Sequence, residues 1–421
     1  MASTQPDTTT LTDITALTKL QRIDGKVKKD NYIVTLRPGV ARSTRDTLVD
    51  SLGPEATITA RYNHVFSGFA GQFSSGVLER IHAHPDVVTI VEDSEVYANV
   101  EQHDATWGLQ RISQEGPLPP GSDPLSDTLP SISAYLNSTT LSALTYTYTY
   151  DGTVTSLVNI YVLDTGIYTE NSDFGGRAHW GVTMIGSDGD RRGHGTHVAG
   201  TIGGTRFGVY KFAEIYDVKV LDDNGAGTAS SVIAGLDWTH NNVLRPAVVN
   251  MSLGSPANTA IDSAVVAVIN SGITTVVSAG NTNIDASLRS PARVEQAITV
   301  GASTIADARA SFSNFGFDHF PISSMYLLSV RLSIRSVVDV FAPGQDITST
   351  WIGQVDATHT ISGTSMAAPH VTGVAAYFLA QQTDLRPSEI EEEIEKRANE
   401  GILSNIPAGT VNALLYNGTP V

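Results

Sequence analysis

The chain has 421 residues, 43 of them acidic and 26 lysine or arginine, so it carries a net charge of −17; it contains no cysteine. A sequence this acidic, with a pI near 4.9, lacks the basic surface that nucleic-acid phosphates require, and no nucleic-acid partner is expected. The missing cysteines exclude disulfides, thiol nucleophiles and thiolate-held metals, and no apolar run reaches the roughly 18 residues of a membrane span.

Residues 1–29 are polar and show neither the basic start nor the apolar stretch of a secretory signal. From NYIVTL to VVTIVED the pattern reads strand, helix, strand, strand, helix, strand, with Gly53-Pro54 ending the first helix and His84-Pro85-Asp86 turning into the last strand. That order predicts a small α+β domain of the ferredoxin-like type over 30–99. Residues 100–421 have another texture. VNIYVLD, EIYDVKVLD, PAVVNMSLG, ITTVVSAG and AITVG are short apolar runs separated by helical segments. They predict an α/β domain built on a doubly wound, mostly parallel sheet, with ligand-binding residues outside the carboxyl ends of its strands. Within 115–151 the pattern predicts a loop and then an edge strand at YTYTY, and Glu389 to Arg397 a solvated acidic helix. Sequons at Asn137, Asn250 and Asn417 are expected to be chance matches.

Asp164, in VLDTGI, sits at such a strand end. It suits half of a paired-carboxylate site, the orienting acid of a serine triad, or a plain turn cap. The chain has no second Asp-Thr-Gly or Asp-Ser-Gly, which weighs against the pair. In RRGHGTHVAGTIGG, His194 and His197 share a helix face, yet the His-Glu-x-x-His zinc pattern is missing and His197 suits a structural role. Asn281 ends the strand of VVSAGN, and ISGTSMAAPH puts Ser365 at a loop-to-helix junction, with Gly363 allowing close backbone approach and Pro369 expected in the first helical turn. A helix start places backbone amides and a positive dipole end beside the serine, where an oxyanion would develop. The order Asp164, His194, Ser365 is one of the known chain orders of a serine triad.

VLDTGI, HGTHVAG, MSLG, SAGN and GTSMAAPH together resemble the signature segments of subtilisin-like serine proteases; KVLDDNGAG, TSTWIG and LSNIPAGTVN resemble the proteinase K branch. HVFSGFAGQF and HPDVVTIVEDSEV, in the N-terminal domain, resemble the inhibitory propeptide of those enzymes. The resemblance implies a monomeric serine endopeptidase made as a zymogen, acting on polypeptides and inhibited by its own propeptide. Asp164, His194 and Ser365 would form the triad and Asn281 the oxyanion hole. Gly225-Ala226-Gly227 and Ser252-Leu253-Gly254 would bind substrate backbone, and Ser278-Ala279-Gly280 would floor an S1 pocket for apolar or aromatic P1 side chains, with Arg293 and Glu295 near its rim. No cofactor is implied for the chemistry. One structural calcium ion is implied at Asp339 with the carbonyls of Glu295 and Ala297, whereas Ile402 replaces the aspartate of a second site. Relatives of this kind are mostly extracellular; without a signal in the N-terminal segment, an intracellular or vacuolar location is the alternative. Residues 317–335 interrupt flanks that relatives join almost directly, and are read either as a surface loop or as retained intron sequence, an origin that part of 115–137 would share. The competing expectation is an inactive subtilisin-fold binding protein or the product of a faulty gene model.

Overall fold

The computed structural model describes residues 19–22, 27–64, 66–94, 99–119, 146–316 and 336–419, so Asn137 and the 317–335 insertion lie outside the described residues. The chain divides into two compact units, Met1–Tyr97 and Ala98–Val421.

In the N-terminal unit β1 (Leu20–Gln21), β2 (Val27–Leu36), α1 (Arg42–Ser51), β3 (Ala56–Tyr62), β4 (Gly68–Phe73), α2 (Ser75–Ala83) and β5 (Val87–Ser94) form one sheet in the order β1-β5-β2-β4-β3. The four long strands pair antiparallel, as the ferredoxin-like order requires. Alternation on β2 buries Tyr32, Val34 and Leu36 against Leu48 and Val49 of α1 and Val77, Leu78 and Ile81 of α2. The polar N-terminal segment contributes more than composition suggests, because β1 adds a parallel strand beside β5 and Arg22 pairs with Glu92 at 2.7 Å.

The larger unit starts with β6 (Asn99–Ala105), α3 (Trp107–Arg111) and β7 (Tyr146–Asp151). The YTYTY segment does not edge the main sheet; it pairs with β6 in a separate antiparallel ribbon, burying Tyr148. Then follow β8 (Val158–Asp164), β9 (Ala178–Thr183), α4 (His194–Gly203), β10 (Ala213–Lys219), α5 (Ala229–Asn242), β11 (Ala247–Met251), β12 (Ser255–Pro256), α6 (Thr259–Asn270), β13 (Thr274–Ser278), β14 (Arg289–Ser290) and β15 (Ile298–Ser303). The chain closes with β16 (Val340–Pro343), β17 (Ile347–Thr350), β18 (Thr358–Ile361), α7 (Thr364–Gln381), α8 (Pro387–Arg397), β19 (Asn399–Glu400) and β20 (Ala413–Leu414).

The main sheet runs β19-β20-β16-β15-β13-β11-β8-β10-β9, parallel from β9 to β20 with β19 antiparallel at one edge. Alternate residues of β8 face opposite layers: Ile160 and Val162 join the core around α4 and α7, and Tyr161 and Leu163 join the core around α5 and α6. From β8 the chain proceeds to β9 and β10 on one side and to β11 and β13 on the other. That reversal opens a crevice at the carboxyl end of β8, where an open α/β sheet binds its ligand.

Two helices depart from their predicted character. Pro369 lies inside α7, beyond its first turn, because the helix already starts at Thr364. The acid-rich α8 is amphipathic, with Ile390, Ile394 and Glu391 buried, so it is packed rather than merely solvated. Asn250 and Asn417 are buried, consistent with chance sequons. Among the described residues no helix is long and apolar enough to cross a membrane.

Candidate active site

Asp164 is the last residue of β8 and is fully buried. Its Oδ1 accepts the Thr165 N–H at 2.7 Å and faces His194 Nδ1 at 2.7 Å. Glycine is required on both sides of this contact. Gly166 has φ +111°, and a Cβ on Gly195 would stand 2.2 Å from the Gly166 carbonyl and 3.0 Å from Asp164 Cβ. The start of α4, where His194 is the first residue, is capped by Asp190. One Asp190 oxygen accepts from Thr165 Oγ1, Arg192 N and Gly193 N, and the other accepts from Thr196 N and Oγ1 at 3.0 and 2.7 Å. Burial opposes the charged form of His194, but the Asp164 carboxylate beside it outweighs this and leaves the imidazole pKa above its ordinary value.

Ser365 is the second residue of α7. Next to it, Thr364 fixes Asn281: Asn281 Oδ1 accepts the Thr364 N–H at 2.8 Å and its hydroxyl at 2.9 Å, while that hydroxyl accepts the Gly280 N–H at 3.0 Å. With its oxygen held, Asn281 turns its Nδ2 toward Gly363, where a Cβ would lie 3.4 Å away. Asn314 braces the same loop, its Oδ1 accepting from Thr282 N and Ile284 N and its Nδ2 donating to the Ala279 carbonyl. Pro369 has no N–H to offer the carbonyl four residues earlier, and that carbonyl, of Ser365, accepts the Ser252 hydroxyl at 2.9 Å instead. Ser252 is held in turn by Asn250 Nδ2 at 3.0 Å, and Asn250 by the Thr372 hydroxyl at 2.8 Å. The Ser365 hydroxyl itself donates to the Ser252 carbonyl at 3.2 Å, rather than to His194.

Two cavities meet at Ser365, Leu253 and Gly254. The larger, about 500 Å³, is walled by His194, Gly225, Ala226, Gly227 and Ser252. The smaller, about 210 Å³, is lined by Ser278, Ala279, Gly280, Asn281 and Arg289. Every residue expected in the triad, oxyanion hole and substrate walls therefore falls here, apart from buried Asp164, which reaches the cleft through His194. The rim expectation needs correction: Arg293 is held by Asp262 at 2.7 Å, Glu295 lines neither cavity, and Arg289 is the charged residue present.

His197 is a structural histidine, buried with Nε2 close to the carbonyls of Ile347 and His359, and burial pulls its pKa down to about 3. For the metal expectation, Asp339 Oδ2 accepts the Thr299 N–H at 2.7 Å, and Glu391 and Glu395 bring carboxylate oxygens to within 4.8 Å of its own. Such oxygen-only donors suit a hard cation such as calcium. Ala297 is buried and Glu295 exposed. Sequence patterns missed Thr364, Asn314, Asp190 and the two glutamates; the only available signal was a polar residue within or beside a recognised segment.

A doubly wound parallel sheet that presents an Asp–His pair and a serine at a helix start is the architecture of a subtilisin-like serine proteinase. Residues 156–412 match the Subtilase family (Peptidase S8), and residues 31–99 match Peptidase inhibitor I9. The chain belongs to the subtilase family, in its proteinase K-like part, and carries an I9 propeptide domain. It is 44% identical over 370 residues to an extracellular serine proteinase of Thermus sp. (strain Rt41A), covering 87% of this chain and 79% of that one. To Proteinase R of Parengyodontium album it is 39% identical over 398 residues, covering 93% and 90%. The crystal structure of a cold adapted subtilisin-like serine proteinase matches with a TM-score of 0.62 at 40% identity, covering 75% of this chain and all of that one.

Proposed function

We propose that the chain is a zymogen in which Ser365 is the nucleophile, His194 the general base and Asp164 its orienting acid. The 2.7 Å Asp164–His194 contact beside the cavity that holds Ser365 carries this reading. When a peptide enters, the Ser365 hydroxyl leaves the Ser252 carbonyl for His194 Nε2 and attacks the scissile carbonyl. His194 takes the proton and returns it to the leaving amine, while Asp164 stabilises the imidazolium. The Asn281 side-chain amide and the Ser365 N–H receive the oxyanion. Gly225 to Gly227 and Ser252 to Gly254 flank substrate backbone as paired edges. Ser278 to Gly280 floor the P1 pocket, whose small, backbone-rich lining favours large apolar or aromatic side chains.

Residues 30–99 act as the inhibitor of residues 100–421, and the active species is a monomer that works outside the cell, the extracellular location being suggested by the naming of the Thermus relative. The chemistry uses no cofactor. A calcium ion on Asp339 and the carbonyls of Glu295 and Ala297 would brace β16 without entering the reaction.

A fluorophosphonate probe tests the assignment: it should label Ser365, and Ser365→Ala should abolish both peptide hydrolysis and release of the propeptide. An unlabelled but folded protein would instead favour an inert binding protein on a subtilisin scaffold, and normal self-processing by the alanine variant would remove Ser365 from the mechanism.

A further inference from the structure

The smaller cavity beside Ser365 is lined by backbone and small side chains, with one formal charge, Arg289. The stem of Arg289 runs along the cavity: its Cγ lies 4.0 Å from where a Cβ on Gly280 would be, and its Nη2 is 3.4 Å from Thr282 Oγ1. Its backbone is anchored by the ribbon of β12 and β14, in which Arg289 pairs with Pro256, and the adjoining Ser290 hydroxyl accepts the Asn258 N–H at 2.8 Å. Arg293, four residues on, is neutralised by Asp262, whereas Arg289 has no ion-pair partner among the described residues. Neither cavity beside Ser365 has a carboxylate among its described lining residues; apart from His194, their charged members are Arg192 on one side and Arg289 on the other. In a chain of net charge −17, the formally charged side chains lining these two cavities are arginines.

Building on the assignment of the smaller cavity to the P1 side chain, we propose that Arg289 is a specificity-determining residue that gives the pocket a second substrate class, acidic P1 side chains. Glutamate fits the geometry, since its methylenes lie along the Gly280 wall and its carboxylate meets the guanidinium in a charge-assisted contact. Lysine would put its ammonium against the same guanidinium. The order of cleavage is then phenylalanine or leucine first, glutamate second and lysine last. The field of the whole chain acts the other way, drawing cationic substrates at low salt, so a glutamate-over-lysine preference has to arise locally.

The test is a series of chromogenic peptides differing only at P1 (Phe, Leu, Glu, Gln, Lys), hydrolysed by the wild-type enzyme, Arg289→Gln and Arg289→Glu. Wild type should cleave the glutamate peptide about tenfold better than the lysine peptide in kcat/KM, roughly the effect of one charge-assisted hydrogen bond in a half-shielded site. Arg289→Gln should remove that advantage, and Arg289→Glu should invert it. Lysine equal to or better than glutamate in wild type, or a ratio unmoved by Arg289→Gln, would overturn the role of Arg289. Hydrolysis of the phenylalanine peptide by the wild type reports separately on the protease assignment, and thermal denaturation reports on folding of the variants.

Discussion

Ser252→Ala isolates one hydroxyl that joins a wall of the cleft to the helix bearing Ser365. In the wild type this hydroxyl supplies the donor that Pro369 cannot give the Ser365 carbonyl, and it accepts the Asn250 side-chain amide. Asn250 is fully buried and Ser252 is 3% exposed, so water cannot readily replace either contact. The substitution leaves one carbonyl and one N–H without partners, at about 1–3 kcal/mol each. Ser365 is only partly buried and relaxation recovers some of the loss, so about 2–4 kcal/mol is expected. At roughly 2–4 °C per kcal/mol for a large domain, the melting temperature should fall by about 4–16 °C. Thermal denaturation is best followed in the Ser365→Ala background, where self-digestion cannot blur the transition. With Ser365 intact, kcat should fall about tenfold with little change in KM, because the loosened helix start bears the nucleophile rather than the substrate walls. Ser252→Thr should retain most of both properties. Pro369→Ala should partly rescue Ser252→Ala, since it restores an N–H to the orphaned carbonyl; contacts that share an atom are not additive. A melting temperature within about 1 °C of wild type, or strictly additive effects of the two substitutions, would refute the reasoning.

The pKa of His194 is raised by Asp164 against the opposing effect of burial, and the imidazole must be neutral to accept a proton, so kcat/KM should fall as pH drops through a value above the ordinary 6.5. A pH–rate profile with its acid limb at or below 6.5 would contradict this. The N-terminal unit has its own core, so residues 30–99 made separately should inhibit the mature enzyme, and trimming the residues just before Val100 should weaken inhibition; unchanged inhibition by the trimmed fragment would exclude a role for that end.

The sheet was legible because each central strand is a continuous apolar run ending in a glycine-bearing loop, which is what burial on both faces demands. Asp164, His194, Asn281 and Ser365 were legible because their short flanking segments are chemically distinctive. Their supports were not. Thr364 reads as an ordinary helix-start residue until Asn281, 83 positions away, is found accepting its hydroxyl, and Asn314 reads as a loop residue until it is seen holding the Ala279 carbonyl. Pro369 was misplaced because nothing local marks Thr364 as the first residue of the helix. The acidic residues of α8 masked the four-residue spacing of Ile390 and Ile394. Likewise β1 is two residues long and gains its partner only through a parallel pairing with Leu20 opposite Ile90. At the smaller cavity the sequence pointed to Arg293 and Glu295, but a contact with Asp262 turns the Arg293 side chain aside and Arg289 is the charged residue in the lining.

The site draws on strand ends and helix starts from Asp164 to Ser365, on strands that pair in parallel and therefore need a crossover between neighbours. Asp164, His194, Asn281 and Ser365 lie on four separate segments of the chain, so catalytic competence arrives with the closure of long loops, a slow kind of folding event. Newly made chains thus pass through an interval in which they are cleavable but cannot yet cleave, and a population of such chains is at risk from its first mature members. Keeping those members silent until their siblings have folded is a kinetic task, and it sets the lifetime that an inhibitory N-terminal domain has to outlast.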